Sequence, residues 1–465
     1  HDLTHWNCKP NHESLPPLLR AVEEKVKGEI SPDIEKARYT PSQIRILFDA
    51  MCRNTRLLAI MMVVMFFSLA AFIYYLLAQP HLPGLPLANG QNGLQAGVHQ
   101  AQLLESLAIL GYAVDPARST AEETQRTLRL FQGEYGLQVT GDMDGATQQN
   151  ITTALQDHYK TSWSGARLTN EFNHDGIVNA VAVSSDGQRV ASASADRTAA
   201  IWSTDSGREL YRLRHDTLVR DVSFSHDGHK LLTGGANYMA RIWDISTESV
   251  IQDFRSDGKI LEETQYAPSG KLFVTVSRDI QANTHGWALY RTGTAPPLIH
   301  ETSNARHAAF SSDGRTLAVG MADGSIQIWD VDGGELTRSI DAHDGALNAV
   351  AFSPDGELLI SASDDGTAQI RRLEGAGTDP VVLQGHNGRI FSASYSHDGR
   401  LVVTAGEDAT VRLWDSSTGK QITIVGQHGG RVSEAVFLPD DKHIVSACWD
   451  GRVRVWSAAP PIGTS

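Results

Sequence analysis

Three stretches decide the fold: SASADRTAAIWS (192–203), TAGEDATVRLWD (404–415) and SACWDGRVRVWS (446–457). Each opens on a hydroxyl residue, passes an Asp-containing turn, and closes on an alternating run ending in tryptophan. Period-2 alternation broken by Gly/Asp turns is the signature of short, sharply turned strands. Working outward, the same tryptophan recurs at Trp202, Trp243, Trp329, Trp414 and Trp456, with gaps of 41, 86, 85 and 42 residues. The two long gaps each hold a degenerate unit, whose tryptophan position falls near His285 and on Arg371. A second landmark, a turn of the SxDG kind, starts at positions 184, 225, 267, 311, 353, 396 and 438. Both landmarks give seven units of about 42 residues, the period of a repeat architecture.

That repeat length and those landmarks resemble the WD40 β-propeller family. The resemblance implies an all-β, seven-bladed propeller over residues 166–458. It also implies polar tetrads in three units: His174, Ser192, Asp196 and Trp202; His386, Thr404, Asp408 and Trp414; His428, Ser446, Asp450 and Trp456. In each, the Asp accepts from the His, whose other nitrogen meets the Ser or Thr hydroxyl, which in turn accepts from the indole N–H. Such a chain stabilises only when every member is satisfied. A His-Ser-Asp set can also be read as a hydrolase triad, but here it recurs unit after unit with a tryptophan as fourth member, so it is read as structural. The chain runs out after Trp456, leaving the seventh blade one strand short. Arg167–Phe172 (RLTNEF) can supply it, and ring closure removes exposed sheet edges.

Propellers of this type bind partners on the face where the innermost strands begin. Aligning the units on Val183, Phe224, Tyr266, Phe310, Phe352, Tyr395 and Phe437 and stepping back four residues gives Asn179, Arg220, Glu262, Arg306, Asn348, Phe391 and Ser433. These residues are expected to ring the channel mouth. Their mixed polarity suits a protein or peptide partner and equally an ordinary solvated rim.

The 465 residues suffice for several domains, and the net charge of −14 points away from nucleic acid. Cys8, Cys52 and Cys448 are far apart, without the spacing of a disulfide framework or zinc site. Neither a metal, a cofactor nor a catalytic residue is expected. Leu57–Ala78 (LLAIMMVVMFFSLAAFIYYLLA) is uncharged and, at 22 residues, spans about 33 Å as a helix, enough to cross a bilayer. Nine Lys and Arg precede it and none follows until Arg118. The positive-inside rule puts residues 1–56 in the cytoplasm and the rest outside, in the periplasm or toward the cell wall. Residues 79–97, rich in Pro and Gly, read as a linker.

Residues 98–158 have helical periodicity. Leu103, Leu104, Leu107 and Leu110 make an apolar stripe, Thr120 with Glu123 is a capping box, and a third helix is expected from about Asp144 to Leu155. The order LESLAILGY (104–112), TQRTLRLFQGEYGL (124–137), VTGDMDGATQQNI (139–151) resembles the three-helix bacterial peptidoglycan-binding domain. The resemblance implies attachment to the cell wall; a spacer or protein-contact module is the other reading. The family's DGxFGxxT turn is replaced here by DPARSTAEET (115–124). Residues 1–26 (HDLTHWNCKPNHESLPPLLRAVEEKV) resemble the closing segment of bacterial TIR domains, which act as signalling adaptors or hydrolyse NAD. The expectation is thus a multidomain chain: propeller, small helical domain and one transmembrane helix. It serves as a single-pass membrane sensor or scaffold in signal transduction, not as an enzyme. The alternative is the regulatory and membrane part of a TIR-domain NAD hydrolase whose catalytic core lies outside this chain.

Overall fold

The computed structural model describes residues 102–294, 297–301, 303–373 and 379–459. The TIR-like segment, the membrane-span reading at 57–78 and the linker reading at 79–97 lie outside the described residues. Among the described residues no helix is long and apolar enough to cross a membrane.

Twenty-eight strands form seven four-stranded sheets arranged as propeller blades. In six of them the strands lie in chain order from the channel outward. The seventh runs β26 (Val432–Phe437), β27 (His443–Cys448), β28 (Arg452–Ser457) and then β1 (Arg167–Asn173). Leu168 sits opposite Trp456 and Phe172 opposite Val453. The segment RLTNEF therefore is the missing outer strand, and the last blade is completed from the beginning of the repeat region.

The core is divided among the blade contacts. One apolar cluster fills each of the seven junctions; between blades 7 and 1, Val190 and Trp202 pack with Phe172, Val445 and Val453. A middle strand is therefore covered on both faces, and Leu401–Gly406 is buried at every position. The SxDG turns cap the lower face. Ser184 Oγ donates to Asp186 (2.5 Å), and Gly187 takes φ +68°, a left-handed conformation cheap only for glycine. In LPDD the same place is held by Asp441 at φ +53°.

One landmark moves. In blade 3 the residue in register with the signature tryptophans is Tyr290, opposite Phe273 as Trp202 is opposite Val190, and not a residue near His285. Strands β11 (Leu272–Asp279) and β12 (Thr284–Arg291) are eight residues long where the other blades use six. Their hairpin shifts every later position, so an even division of the long gap misplaced the slot. Arg371, opposite Leu359, does occupy the slot in blade 5.

Three helices precede the propeller: α1 (102–109), α2 (Ala121–Glu134) and α3 (Gly145–Ser164). The capping box at Thr120 and Glu123 is formed. Gln132 is fully buried. Its Nε2 donates to Thr140 Oγ1, Asp142 C=O and Thr147 Oγ1 (2.9–3.1 Å), and its Oε1 accepts from the N–H groups of Thr140 and Gly141. Gln132 thus knots α2 to the turn at Thr140–Asp142 and to the first turn of α3.

α3 runs nine residues past the expected stop at Leu155. The extension carries Tyr159 and Trp163, one turn apart and both buried with Val403, Val432 and Phe437 of blades 6 and 7. Trp163 meets Phe437 edge-on at 6.3 Å. Two aromatics in an otherwise polar run gave no helical stripe by themselves; their partners lie on the propeller. Arg400 donates to Gln102 C=O (2.7 Å), and Ala459 N–H to Ser162 C=O (2.7 Å). Helices and propeller make one compact unit. The helices cover the lower side of blades 6 and 7, and the upper face, where the inner strands begin, faces away from them.

Candidate functional site

The seven residues picked from the sequence all line one central channel. Six lie second and Glu262 third in the innermost strand of their blades: β2 (Val178–Val183), β6 (Val219–Phe224), β10 (Ile260–Tyr266), β14 (Ala305–Phe310), β18 (Leu347–Phe352), β22 (Ile390–Tyr395) and β26. Each is also the unpaired residue of a β-bulge. Register skips from Val178 to Ala180, from Val219 to Asp221, and likewise over Glu262, Arg306, Asn348, Phe391 and Ser433. A bulge frees one residue from the ladder and re-aims its side chain; here that residue is turned into the channel mouth seven times.

The seven differ in what holds them. Asn179 donates to Val219 C=O (2.7 Å), Asn348 to Ile390 C=O (3.0 Å) and Ser433 to Val178 C=O (2.8 Å). Those three tie one blade to the next. Arg220 and Arg306 make no ion pair among the described residues, and Glu262 stands 3.5 Å from His285.

One step deeper is a ring the sequence reading missed. Stepping back three residues instead of four gives Ala180, Asp221, Glu263, His307, Ala349, Ser392 and Glu434. The innermost strand of a blade leaves N–H groups unpaired along the channel, and these side chains accept them from the following blade. Asp221 takes Thr264 N–H (2.6 Å), Glu263 takes Ala308 N–H (2.9 Å), His307 takes Val350 N–H (3.3 Å), Ser392 takes Ala435 N–H (3.2 Å) and Glu434 takes Val181 N–H (2.8 Å). Burial pushes Asp221 up to about 7 and Glu434 to about 8, Glu434 with added repulsion from Asp221. Glu263 is raised well above the carboxylate range by burial and by Asp221, and burial lowers His307 to about 4. The inner ring therefore sheds charge near neutral pH. These residues are structural acceptors.

The tetrads are intact in blades 1 and 6. His174 meets Asp196 and Ser192 at 2.7 Å each, and Trp202 donates to Ser192 (2.8 Å). His386 meets Asp408 (3.0 Å) and Thr404 (2.7 Å), and Trp414 donates to Thr404 (2.7 Å). Blade 7 departs from expectation. His428 bonds Ser446 (2.8 Å), but Asp450 is 3.9 Å away, because the Arg454 guanidinium inserts between them and donates to both. Burial and then Arg454 depress His428 to about 4. Blade 5 holds a set the reading missed: His343 bonds Asp365 (2.8 Å) and Ser361 (2.9 Å) beneath Arg371. His343 sits 22 residues before its Asp, as in the other sets, and that spacing was the available signal. Blade 2 keeps His215, Thr233 and Trp243. In blade 4, Val319 fills the hydroxyl slot. None of these histidines is left free for chemistry. His428, Cys448 and Asp450 lie close enough to share a metal ion, but Arg454 already supplies the positive charge there.

The description "WD domain, G-beta repeat" matches residues 166–203, 207–244, 334–371, 377–415 and 419–457, and "Anaphase-promoting complex subunit 4 WD40 domain" matches 266–350. Similar proteins include Pre-mRNA-processing factor 19 homolog 2 of Arabidopsis thaliana, 30% identical over 104 residues (21% of this chain, 19% of that protein). The human U5 small nuclear ribonucleoprotein 40 kDa protein is 37% identical over 62 residues (13% and 17%). WD repeat-containing protein 1 of Gallus gallus is 45% identical over 64 residues (13% and 10%). The matches span a fifth or less of these relatives.

Proposed function

Because the chain carries WD40 repeats closed into a seven-bladed β-propeller, we propose that it works as a non-enzymatic scaffold holding a protein or peptide partner at the channel mouth. The observation that carries this reading is the bulge at all seven inner strands, which aims one side chain per blade at the same opening. Large apolar side chains are exposed on the same face: Tyr238, Ile280 and Trp449 at 44, 61 and 43%. Aromatic and arginine side chains around a concave centre are what protein interfaces favour.

Sequence features outside the propeller supply the setting of this proposal. The apolar run 57–78 anchors the chain in a bacterial membrane, with residues 1–56 cytoplasmic and the propeller outside. The helical segment, by its resemblance, brings that propeller close to peptidoglycan, and partner capture is relayed to the cytoplasmic end. The test uses the full chain as bait in extracts of its own cell envelope, beside the double variant Arg220→Glu/Arg306→Glu. Loss of the captured partner in the variant is expected; capture undiminished both in it and in Arg389→Glu/Arg431→Glu contradicts the rim. Co-sedimentation of the full chain with purified sacculi checks the wall contact separately, and failure to co-sediment removes it.

A further inference from the structure

The upper face is not uniform around the ring. Buried polar atoms left without a hydrogen-bond partner gather over blades 2, 3 and 4: Thr217 Oγ1, Arg220 Nε, Arg278 Nε, His285 Nε2 and Ser303 Oγ. An unsatisfied buried donor costs free energy, and a native fold keeps few of them. Trp287 Nε1 in blade 3 and Arg371 Nε in the tryptophan slot of blade 5 are also without a partner. The upper-face arginines of blades 6 and 7 are already paired, Arg431 with Glu407 (2.6 Å) and Arg389 with Asp364 (3.8 Å).

The orphans belong to one place. Arg278 and His285 face each other beside the turn of the lengthened blade-3 hairpin. Asn304 N–H donates to His285 C=O (3.2 Å), which brings Ser303 beside that hairpin. Arg220, Glu262 and Arg306 border the same channel. Three arginines and a histidine thus surround Glu262 at the mouth, with Asp221 and Glu263, whose protons burial holds, one step deeper in the same channel. The nearest further carboxylate on the hairpin, Asp279, accepts from Gln281 and Ala282 N–H (2.9 Å each). Exposed Tyr238 and Ile280, on the neighbouring turns of blades 2 and 3, give an apolar flank.

We propose that the blade 2–4 sector of the upper face is the specificity site, and that it takes an acidic peptide segment of the partner, its carboxylates on Arg220, Arg278 and Arg306 and an apolar side chain against Tyr238 and Ile280. This rests on the scaffold reading and narrows it. Planar guanidinium forks match carboxylates in two-point hydrogen bonds, so one ligand group can satisfy several orphans together.

Fluorescence anisotropy of the full chain with a fluorescein-labelled (Glu-Glu-Leu) repeat peptide tests it, with (Gln-Gln-Leu) and (Lys-Lys-Leu) peptides as comparison. The acidic peptide is expected to bind at least about tenfold tighter than either. Arg220→Glu/Arg306→Glu is expected to erase that preference, while Arg389→Glu/Arg431→Glu leaves it intact. Tyr238→Ala, a surface change, is expected to weaken binding about threefold without removing the acidic preference. Equal binding of the three peptides, absence of binding, or loss through the blade 6–7 pair overturns the assignment. Inorganic phosphate competing as strongly as the acidic peptide reduces the site to a simple anion site and also overturns it. The scaffold reading stands apart from these outcomes: partner capture by the full chain that survives Arg220→Glu/Arg306→Glu but is lost in Arg389→Glu/Arg431→Glu moves the site elsewhere on the rim.

Discussion

Blades 1 and 6 and blades 3 and 4 are built on the same four strands but use their polar groups in opposite ways. In blades 1 and 6, every member of the His-Ser/Thr-Asp-Trp chain is bonded to another member, and nothing is left over for a ligand. In blades 3 and 4 the chain is absent. Tyr290 and Trp329 hold the aromatic slots, Val319 replaces the hydroxyl, and polar atoms with no partner appear at the upper face instead. A ring needs each blade to pack but not each to carry the network. The blades released from it are free to present donors outward.

The contrast is tested most severely at the hydroxyl slot. Thr404→Val orphans His386 Nε2 and the Trp414 indole together, and is expected to cost about 3 kcal/mol in urea unfolding. Thr275→Val, at the same slot of blade 3, is expected to cost about 1 kcal/mol or less, since blade 4 already carries Val319 there. Equal losses would erase the distinction between the two classes of blade.

A second effect comes from the inner ring. The unfolded chain releases the Glu434 proton near its ordinary value of 4.5, and the folded chain holds it to about 8. Stability from this group is therefore complete below pH 4.5 and falls as pH rises toward 8, by on the order of 5 kcal/mol were it to act alone. Glu434→Gln keeps the acceptor for Val181 N–H and removes the titration, so its stability relative to wild type should rise across that window. An unchanged pH profile contradicts the buried acid.

Blade 7 sharpens the comparison at smaller cost. Arg454→Ala removes the cation between His428 and Asp450, and NMR titration is expected to show the His428 pKa rising from about 4. A histidine depressed below its unfolded value of 6.5 contributes stability above that pH and loses it as pH falls toward 4; in the variant the loss still sets in near 6.5 but ends at the new, higher folded value, so less stability is lost over a narrower window. The smallest effect is at Ala409, held at φ +64° in a turn position filled by Gly324, Gly366 and Gly451 in blades 4, 5 and 7. Ala409→Gly is expected to stabilise by about 0.5 kcal/mol, left-handed strain being relieved at the expense of a more flexible unfolded chain.

The seven blades were legible because a propeller repeats its information, and a single landmark missed in one unit is recovered from the others. Ring closure through Arg167–Phe172 followed from counting strands. The rim followed from a fixed offset, since a bulge at the same place in each inner strand keeps the alignment true. The offset said nothing of which rim residues are tied down, because Asn179, Asn348 and Ser433 find their carbonyls on the next blade. The inner ring was hidden for the same reason, being polar side chains bonded across a blade boundary. Blade 3 is not legible by equal spacing, because its hairpin strands are eight residues long. Arg454 failed because an i, i+4 arginine that severs a tetrad leaves the tetrad's letters unchanged. The end of α3 was hidden because Tyr159 and Trp163 read as helix only once their propeller partners are known.

On the reading proposed above, partners meet this protein on the upper face around the blade 2–4 sector. Photo-crosslinking in intact cells, with a benzophenone side chain placed in the full chain at Tyr238, at Trp449 or at Val382 on an outer strand, tests it most directly. Adducts at Tyr238 that exceed those at Trp449, with none at Val382, are the result predicted here. Adducts concentrated at Val382, or spread evenly over the three positions, would contradict it.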